Sequence, residues 1–260
     1  MPAILNLQNV SKQFGGVPAV DDFTYDFEGG MTALIGPNGA GKTTAFNLIG
    51  GHLHPDTGTV TFEGQRLSGC NMSFLDRKPW NIASLGIGRL FQDVRLFKKM
   101  TVLENVMTAF PKQRGESIWR ILLAPWTEIK PEQERRQHAM ELLERVGLAD
   151  KADALADNLS YGEQKLVALA RLLAAEAKLL LLDEPAAGVN PAMIPKLLET
   201  IKGLATPNRT IIFIEHNLDI VRNLAEQVVF MAAGAKIMSG SPQEVLANPK
   251  VRTAYTGTMK

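Results

Sequence analysis

The stretch GPNGAGKTT, residues 36–44, decides the fold of this chain. It follows the apolar run MTALI at 31–35 and precedes a helical pattern, and it matches the phosphate-loop pattern G-x-x-x-x-G-K-[ST]. Glycines let backbone N–H groups curve around phosphate oxygens without Cβ clashes. We therefore predict a nucleotide site made of Gly36, Pro37, Asn38, Gly39, Ala40, Gly41, Lys42, Thr43 and Thr44.

Three side chains of this loop have predicted roles. Lys42 supplies a positive charge to the β and γ phosphates, and Thr43 offers a hydroxyl to Mg²⁺. Thr44 can donate a further hydrogen bond. The alternative, a glycine-rich turn with a chance lysine, is disfavoured by the strand before the loop and the helix after it.

The run LLLLDE at 179–184 is the expected counterpart of the phosphate loop. Four leucines predict a buried strand that ends at the carboxyl edge of a parallel sheet, where ligands bind. Asp183 can hold the Mg²⁺ shell, through water, because Mg²⁺ keeps several waters. Glu184 can accept a proton from an attacking water. A strand followed by a solvated acidic turn is the alternative, and it would prevail without the phosphate loop.

Three further positions can contribute to such a site. Gln92 can contact Mg²⁺ or water and mark a hinge, or it can be an ordinary surface glutamine. His216 can contact the γ phosphate or orient Glu184, or it can bond to the backbone at a strand end. Ser160, in LSYGEQ at 159–164, predicts a helix start that favours an anion.

The order of patterns along the chain predicts an α/β fold. Alternating strands open the chain and predict an antiparallel β subdomain, and GTVTFEGQRL at 58–67 is expected to form one strand of it. Strand–helix alternation after Ser160 predicts a parallel sheet, closed by a hairpin that turns at Ala233–Gly234. QVVFMAAGAKIMSGS therefore ends a mixed sheet flanked by helices.

The middle of the chain carries helical patterns. Thr101 and Glu104 have the spacing of a capping box, and a long helix is expected between Pro131 and Gly147. We predict one domain over residues 1–260, with a nucleotide-binding core at 1–92 and 165–260. A helical subdomain at about 93–164 interrupts this core.

Composition excludes several classes of function. The formal net charge of +1 gives no electrostatic basis for nucleic-acid binding. The single cysteine, Cys70, excludes disulfide scaffolds and four-cysteine metal sites within one chain, and a thiol in a reducing compartment is expected. No signal peptide or run of about 20 apolar residues is apparent. We expect a cytoplasmic protein whose membrane role depends on partners.

Taken together, these motifs resemble the nucleotide-binding subunit of ATP-binding-cassette (ABC) transporters. The motifs are the phosphate loop, Gln92, LSYGEQ, LLLLDEP and His216, and they follow the family's order over nearly the whole chain. The resemblance implies a P-loop NTPase core with ATP and Mg²⁺ as cofactors. It also implies a dimer in which ATP lies between the phosphate loop of one copy and LSYGEQ of the other.

The resemblance assigns a role to each matching residue. Gln92 is the Q-loop glutamine, close to the metal and the catalytic centre, and His216 is the switch histidine. Asp183 and Glu184 form the Walker B end, with Glu184 as general base. The remaining nucleotide contacts implied are the signature residues Ser160, Gly162 and Glu163, together with Phe14, whose ring would stack on adenine. A packed core phenylalanine is the alternative for Phe14.

Two departures from the family pattern matter. Tyr161 replaces the first glycine of the signature LSGGQ, whereas Gly162 keeps the glycine nearest the phosphate. Asn190, in AAGVNP, replaces the usual aspartate of the D-loop, so a hydrogen-bonding carbonyl is kept and the charge is lost.

Further segments resemble the ATPases of branched-chain amino-acid uptake systems. They are RLFQDVRLFKKMTVLENV, WRILLAPW, DEPAAGVNP, EHNLDIV and NPKVRTAYTG. The resemblance implies permease subunits, an identical or paralogous second ATPase and an external substrate-binding protein as partners, and a position on the inner face of the cell membrane. Urea or lipopolysaccharide transport, a soluble cassette for cluster assembly and a nucleotide-gated binder without turnover remain the alternatives.

Overall fold

The computed structural model describes residues 3–69, 78–111 and 129–256, and these residues form two compact units. The first unit comprises Met1–Arg89, Lys178–Pro185 and Lys202–Lys260, and the second comprises Leu90–Ala177 and Ala186–Ile201. The helical subdomain that the sequence predicts at about 93–164 has different limits from these units, and its limits remain a prediction. Cys70 and the segment WRILLAPW at 119–126 lie outside the described residues.

A four-stranded antiparallel sheet opens the first unit, in the order β2-β1-β4-β5. Its strands are β1 (Leu5–Phe14), β2 (Val17–Phe27), β4 (Thr57–Phe62) and β5 (Gln65–Gly69). The antiparallel region is thus confirmed. The expectation of one strand over GTVTFEGQRL is wrong, because Glu63 and Gly64 turn the chain with positive φ and create a hairpin.

The candidate site lies on a six-stranded mixed sheet, whose strands have the order β10-β9-β3-β8-β7-β6. Its strands are β3 (Met31–Ile35), β6 (Ile87–Leu90), β7 (Leu179–Asp183), β8 (Thr210–Ile214), β9 (Gln227–Ala232) and β10 (Ala235–Gly240). β3 pairs in parallel with β8 and β9, and β7 pairs in parallel with β8. The carboxyl ends of these strands therefore meet at one edge, where α/β proteins bind ligands.

The strands at the centre of this sheet are buried on both faces. Every residue of β3, β7 and β8 is buried, as parallel strands covered by other elements require. One apolar core joins both sheets and α1: Leu7, Phe23, Phe46, Phe62, Leu181 and Ile212 are among its members. The predicted α/β fold with a mixed sheet and an antiparallel region is confirmed.

Nine α-helices lie within the described residues. They are α1 (Lys42–Ile49), α2 (Pro79–Ser84), α3 (Val102–Met107), α4 (Ile129–Arg145), α5 (Tyr161–Ala174), α6 (Ile194–Leu204), α7 (Leu218–Leu224), α8 (Pro242–Ala247) and α9 (Pro249–Thr256). Short 3₁₀ turns occupy Ala149–Lys151, Ala156–Asn158 and Pro191–Met193.

Within the second unit, α3 and α5 begin with capping boxes. The Thr101 hydroxyl accepts a hydrogen bond from the backbone N–H of Glu104, and the Glu104 carboxylate accepts one from Thr101 N–H at 2.7 Å. The predicted cap at Thr101 is confirmed. Ser160 and Glu163 make the same reciprocal pair at the start of α5.

Candidate nucleotide-binding site

The glycines of residues 36–44 are required by close backbone contacts. Gly36 has φ +153°, and a Cβ there would lie 2.1 Å from the carbonyl oxygen of Met231. Gly41 has φ +96°, and a Cβ there would lie 2.1 Å from the carbonyl oxygen of Ala19. Both conformations are left-handed or beyond, where L side chains are strained. The loop is thus pressed against β9 and β2, and no larger residue fits at either position.

Helix α1 begins at this loop without a side-chain cap. Its N-cap residue is Gly41, which has no side chain to accept a hydrogen bond from the first turn. The first N–H groups of a helix lack intrahelical partners and carry a partial positive charge, so an anion is stabilised there. The start of α1 has the chemistry of a phosphate site.

Lys42 turns back onto the loop that it follows. Its Nζ donates hydrogen bonds to the carbonyl oxygens of Gly36 at 2.8 Å and Pro37 at 2.9 Å. Burial lowers the pKa of Lys42, and the nearby carboxylates of Glu184 and Asp183 oppose this shift. The lysine, the loop and both acids therefore share one electrostatic site in the first unit.

Asp183 forms a buried ion pair that the sequence analysis missed. The NH2 group of Arg89 donates to its Oδ2 at 2.8 Å, and NH1 donates to Oδ1 of Asn47 at 2.6 Å. The side chains of Arg89 and Asp183 are only 8% and 11% exposed. Arg89, at the end of β6, thereby links Asp183 to α1. The sequence around Arg89 does not indicate which residue it pairs with. This contact could be predicted only from the order of the strands in the sheet.

Glu184 lies beside His216, as one of the predicted alternatives requires. Nε2 of His216 is 3.1 Å from Oε1 of Glu184. Glu184 has φ +47°, and its N–H donates to the carbonyl oxygen of Ile214 at 3.0 Å. A non-glycine residue at positive φ is strained, and such strain concentrates at functional sites. The geometry holds a carboxylate and an imidazole together at the edge of the sheet.

Phe14 and Tyr255 also belong to the candidate site in the first unit. The Phe14 ring is 49% exposed, so the core alternative is wrong, and Lys12 Nζ lies 5.9 Å from its centroid. The hydroxyl of Tyr255 accepts a hydrogen bond from Gly36 N–H at 2.9 Å. Tyr255, on α9, is 219 residues from Gly36, and the sequence offers no signal for this contact.

The remaining predicted residues, Gln92, Ser160, Gly162 and Glu163, belong to the second unit. The Ser160 hydroxyl donates to Glu163 Oε2 at 2.7 Å, and Lys151 Nζ pairs with Oε1 of the same carboxylate. Gly162 is buried, and a Cβ there would lie 3.2 Å from Cγ1 of Val189. Gln92 is exposed.

Comparison with known proteins decides the family. The family model described as "ABC transporter" matches residues 21–187, which is more than half of the chain. The chain belongs to the ABC transporter family. A second model, described as "Branched-chain amino acid ATP-binding cassette transporter", matches residues 235–259 of this cassette. The cassette is therefore a transporter ATPase that binds nucleotide.

Curated relatives span nearly the whole cassette. A chain of Archaeoglobus fulgidus named "Probable branched-chain amino acid transport ATP-binding protein LivG" is 40% identical over 98% of the cassette and 95% of the relative. The "High-affinity branched-chain amino acid transport ATP-binding protein LivG" of Escherichia coli K12 is 36% identical, with 98% of each chain covered.

Solved cassettes have the same fold. An ABC transporter cassette in its ADP conformation is 32% identical, with TM-score 0.82 over 99% of this cassette and 100% of that chain. A nucleotide-free cassette is 34% identical, with TM-score 0.80 over 97% and 98% of the two chains.

Within residues 3–69, 78–111 and 129–256, no helix is long and apolar enough to cross a membrane.

Proposed function

We propose that this cassette is the ATP-hydrolysing subunit of an importer of branched-chain amino acids. The observation that carries this proposal is the match of residues 235–259 to the branched-chain amino-acid model. The relatives named for the same transport support it over 98% of the cassette. ATP binding alone would not specify a cargo, so the C-terminal match is what narrows the proposal.

The pair of Glu184 and His216 supports catalysis. Glu184, held at the strand edge, takes the proton of the attacking water, and His216 fixes the direction of the carboxylate through the 3.1 Å contact. Burial lowers the pKa of Lys42, and the neighbouring carboxylates of Glu184 and Asp183 oppose this shift and so favour its charged form. Once released from the loop carbonyls, its Nζ neutralises the β and γ phosphates.

Magnesium fits this donor set. In the described part of the chain, no group of three His, Cys, Asp or Glu side chains could hold a metal by itself. Mg²⁺ at nucleotide sites needs only one or two protein ligands, because phosphate oxygens and water complete the octahedron. Thr43 and Asp183 would hold it. When bound, it would neutralise phosphate charge.

The signature residues complete the proposed site from a second copy or a paralogue. Ser160 and Gly162 would contact the nucleotide held by Gly36–Thr44 of the facing subunit, with Glu163 beside them. Phe14 supports adenine binding, because its ring is half exposed and can stack. A solved dimeric cassette bound to ADP and phosphate, 25% identical to this one, supports the pairing of subunits.

The proposed partners are permease subunits in the cell membrane and an external substrate-binding protein that acts through them. The cassette would lie on the cytoplasmic face, attached through the permease. Nucleic acid is not an expected partner at a net charge of +1.

Uptake by a reconstituted transporter tests this function. Membranes containing the tagged cassette are solubilised, and the cassette and its copurified permease are placed in vesicles with ATP inside. The external substrate-binding protein is added outside, and uptake of labelled leucine is measured. We expect leucine uptake that isoleucine and valine compete for. A relative from Corynebacterium glutamicum, 34% identical, is named for arginine transport, so arginine and urea serve as comparison cargoes. Arginine or urea uptake without leucine uptake, or copurification with no permease, would contradict the proposal.

A further inference from the structure

Tyr161, which replaces the first glycine of the family signature, contacts two other loops of the second unit. Its hydroxyl donates a hydrogen bond to the backbone carbonyl oxygen of Gln92 at 2.6 Å. The two residues are 69 positions apart in sequence. Glycine at this position could make no such bond, so the substitution adds a contact between the signature helix and the Q-loop.

The ring of Tyr161 also packs on the loop that contains Gly188. Gly188 has φ +72°, and a Cβ there would lie 3.1 Å from Cε1 of Tyr161. The ring therefore occupies the space that a side chain at position 188 would need. Only glycine combines this backbone conformation with so close an aromatic neighbour.

Lys165, one turn further along α5, also contacts the loop that contains Gly188. It is fully buried, its Nζ donates to the carbonyl oxygen of Ala187 at 2.9 Å, and it lies 5.1 Å from the centroid of the Tyr161 ring. A buried ammonium gains from an aromatic face and from a carbonyl partner. Tyr161 and Lys165 thus hold residues 187 and 188 from one helix.

We propose that Tyr161 is a positioning residue that sets the Q-loop backbone at Gln92 and, through the Gly188 contact, the D-loop relative to the signature helix. The inference rests on the proposed function, because it acts through the Gln92 side chain. Burial, with a smaller effect of the Asp93 carboxylate, raises the pKa of Tyr161, so the hydroxyl keeps its proton in neutral buffer.

The first test is independent of catalysis. Tyr161→Phe removes the hydroxyl and keeps the ring, and Tyr25→Phe is the matched control, since Tyr25 packs edge-on against Phe27 in the first unit. Hydrogen exchange is measured by mass spectrometry on the purified cassette without nucleotide. We expect exchange in residues 91–95 to rise about fivefold in Tyr161→Phe, as loss of one hydrogen bond implies, and not in the control. Unchanged exchange there would overturn the inference.

The second test asks whether the effect passes through Gln92. We expect Tyr161→Phe to lower kcat for ATP about fivefold with KM unchanged, and to have no further effect on kcat in a Gln92→Ala background. Effects that multiply would mean that Tyr161 is merely structural, and would overturn the inference. If the unmodified cassette does not hydrolyse ATP, the proposed function fails, and hydrogen exchange still decides whether Tyr161 holds the Q-loop.

Discussion

At the scale of single residues, the ion pair between Arg89 and Asp183 has the largest expected energetic effect. Both side chains are nearly buried, so Arg89→Met would leave an uncompensated carboxylate. Breaking a buried pair in this way costs about 3 kcal/mol. We expect a loss of that size in the free energy of unfolding, measured by urea denaturation.

Two variants control for this prediction. Arg89→Met combined with Asp183→Asn removes both charges and should recover much of the stability, although not the ATPase activity. Lys98→Met breaks the exposed pair with Asp157, whose side chains are 71% and 48% exposed, and should cost less than about 1 kcal/mol. Equal losses for Arg89→Met and Lys98→Met would refute the role given to burial.

Gly36 carries a second prediction at this scale. A Cβ at 2.1 Å from a backbone oxygen of β9 cannot be relieved by a side-chain rotation. We expect Gly36→Ala to lower the free energy of unfolding by about 2 kcal/mol or more and to abolish binding of a fluorescent ATP analogue. Gly15→Ala, where φ is +56° and nothing lies within 4 Å, is the control and should keep ATP binding.

At the scale of elements, three of the helices that the structure describes begin with the same reciprocal cap: Thr101 with Glu104, Ser160 with Glu163, and Ser241 with Glu244. The Ser160 hydroxyl already donates to Glu163, so in the proposed dimer a phosphate oxygen would have to share or displace that bond. The first turn of α1, by contrast, has no side-chain cap. The starts of α1 and α5 are therefore not equivalent.

Ser160→Ala and Ser241→Ala separate capping from nucleotide contact. Each should lower the free energy of unfolding by about 1 kcal/mol, because each loses the same cap. Only Ser160→Ala should also raise KM for ATP or lower kcat. If both variants reduce ATPase activity alike, the signature contact is not supported.

The capping carboxylates also predict a pH dependence. Hydrogen bonds from the backbone N–H and then the hydroxyl of the cap residue lower the pKa of Glu104 and Glu244. For Glu163, burial raises the pKa, but bonds from Lys151 and Ser160 outweigh it and lower the pKa overall. A carboxylate with a lowered folded pKa stabilises the protein fully above about pH 4.5 and loses this effect as pH falls.

Urea midpoints between pH 6 and pH 3 measure that dependence. We expect a steeper acid decline for the unmodified cassette than for Glu244→Gln, which lacks one of the stabilised carboxylates. Parallel declines would contradict the contribution of the caps.

Local patterns predicted the elements well, because each strand and helix near the site carries its own signal. The phosphate loop, LLLLDE, the caps and the hairpin at Ala233–Gly234 depend on neighbours in sequence. The hairpin within GTVTFEGQRL and the contacts of Arg89 and Tyr255 were missed. The hairpin depends on two residues at positive φ. The contacts of Arg89 depend on the order of the strands, and the contact of Tyr255 depends on the path of the C-terminal helix.

At the scale of the whole molecule, family membership and the geometry of the first unit lead to one account. The phosphate loop lies at one edge of the sheet with Lys42, Glu184 and His216. The signature residues lie in the second unit. Under the proposed function, a facing subunit supplies the signature residues to each nucleotide.

The most direct test of this account is the ATPase rate of Glu184→Gln, measured with Mg²⁺ and saturating ATP by phosphate release. Glutamine keeps the size of the side chain and can contact His216, but it cannot accept the proton of water. We predict a rate at least about a hundredfold below that of the unmodified cassette, with ATP binding retained and, where the partner is a second copy, an ATP-stabilised dimer. Hydrolysis at a near-normal rate would contradict the account.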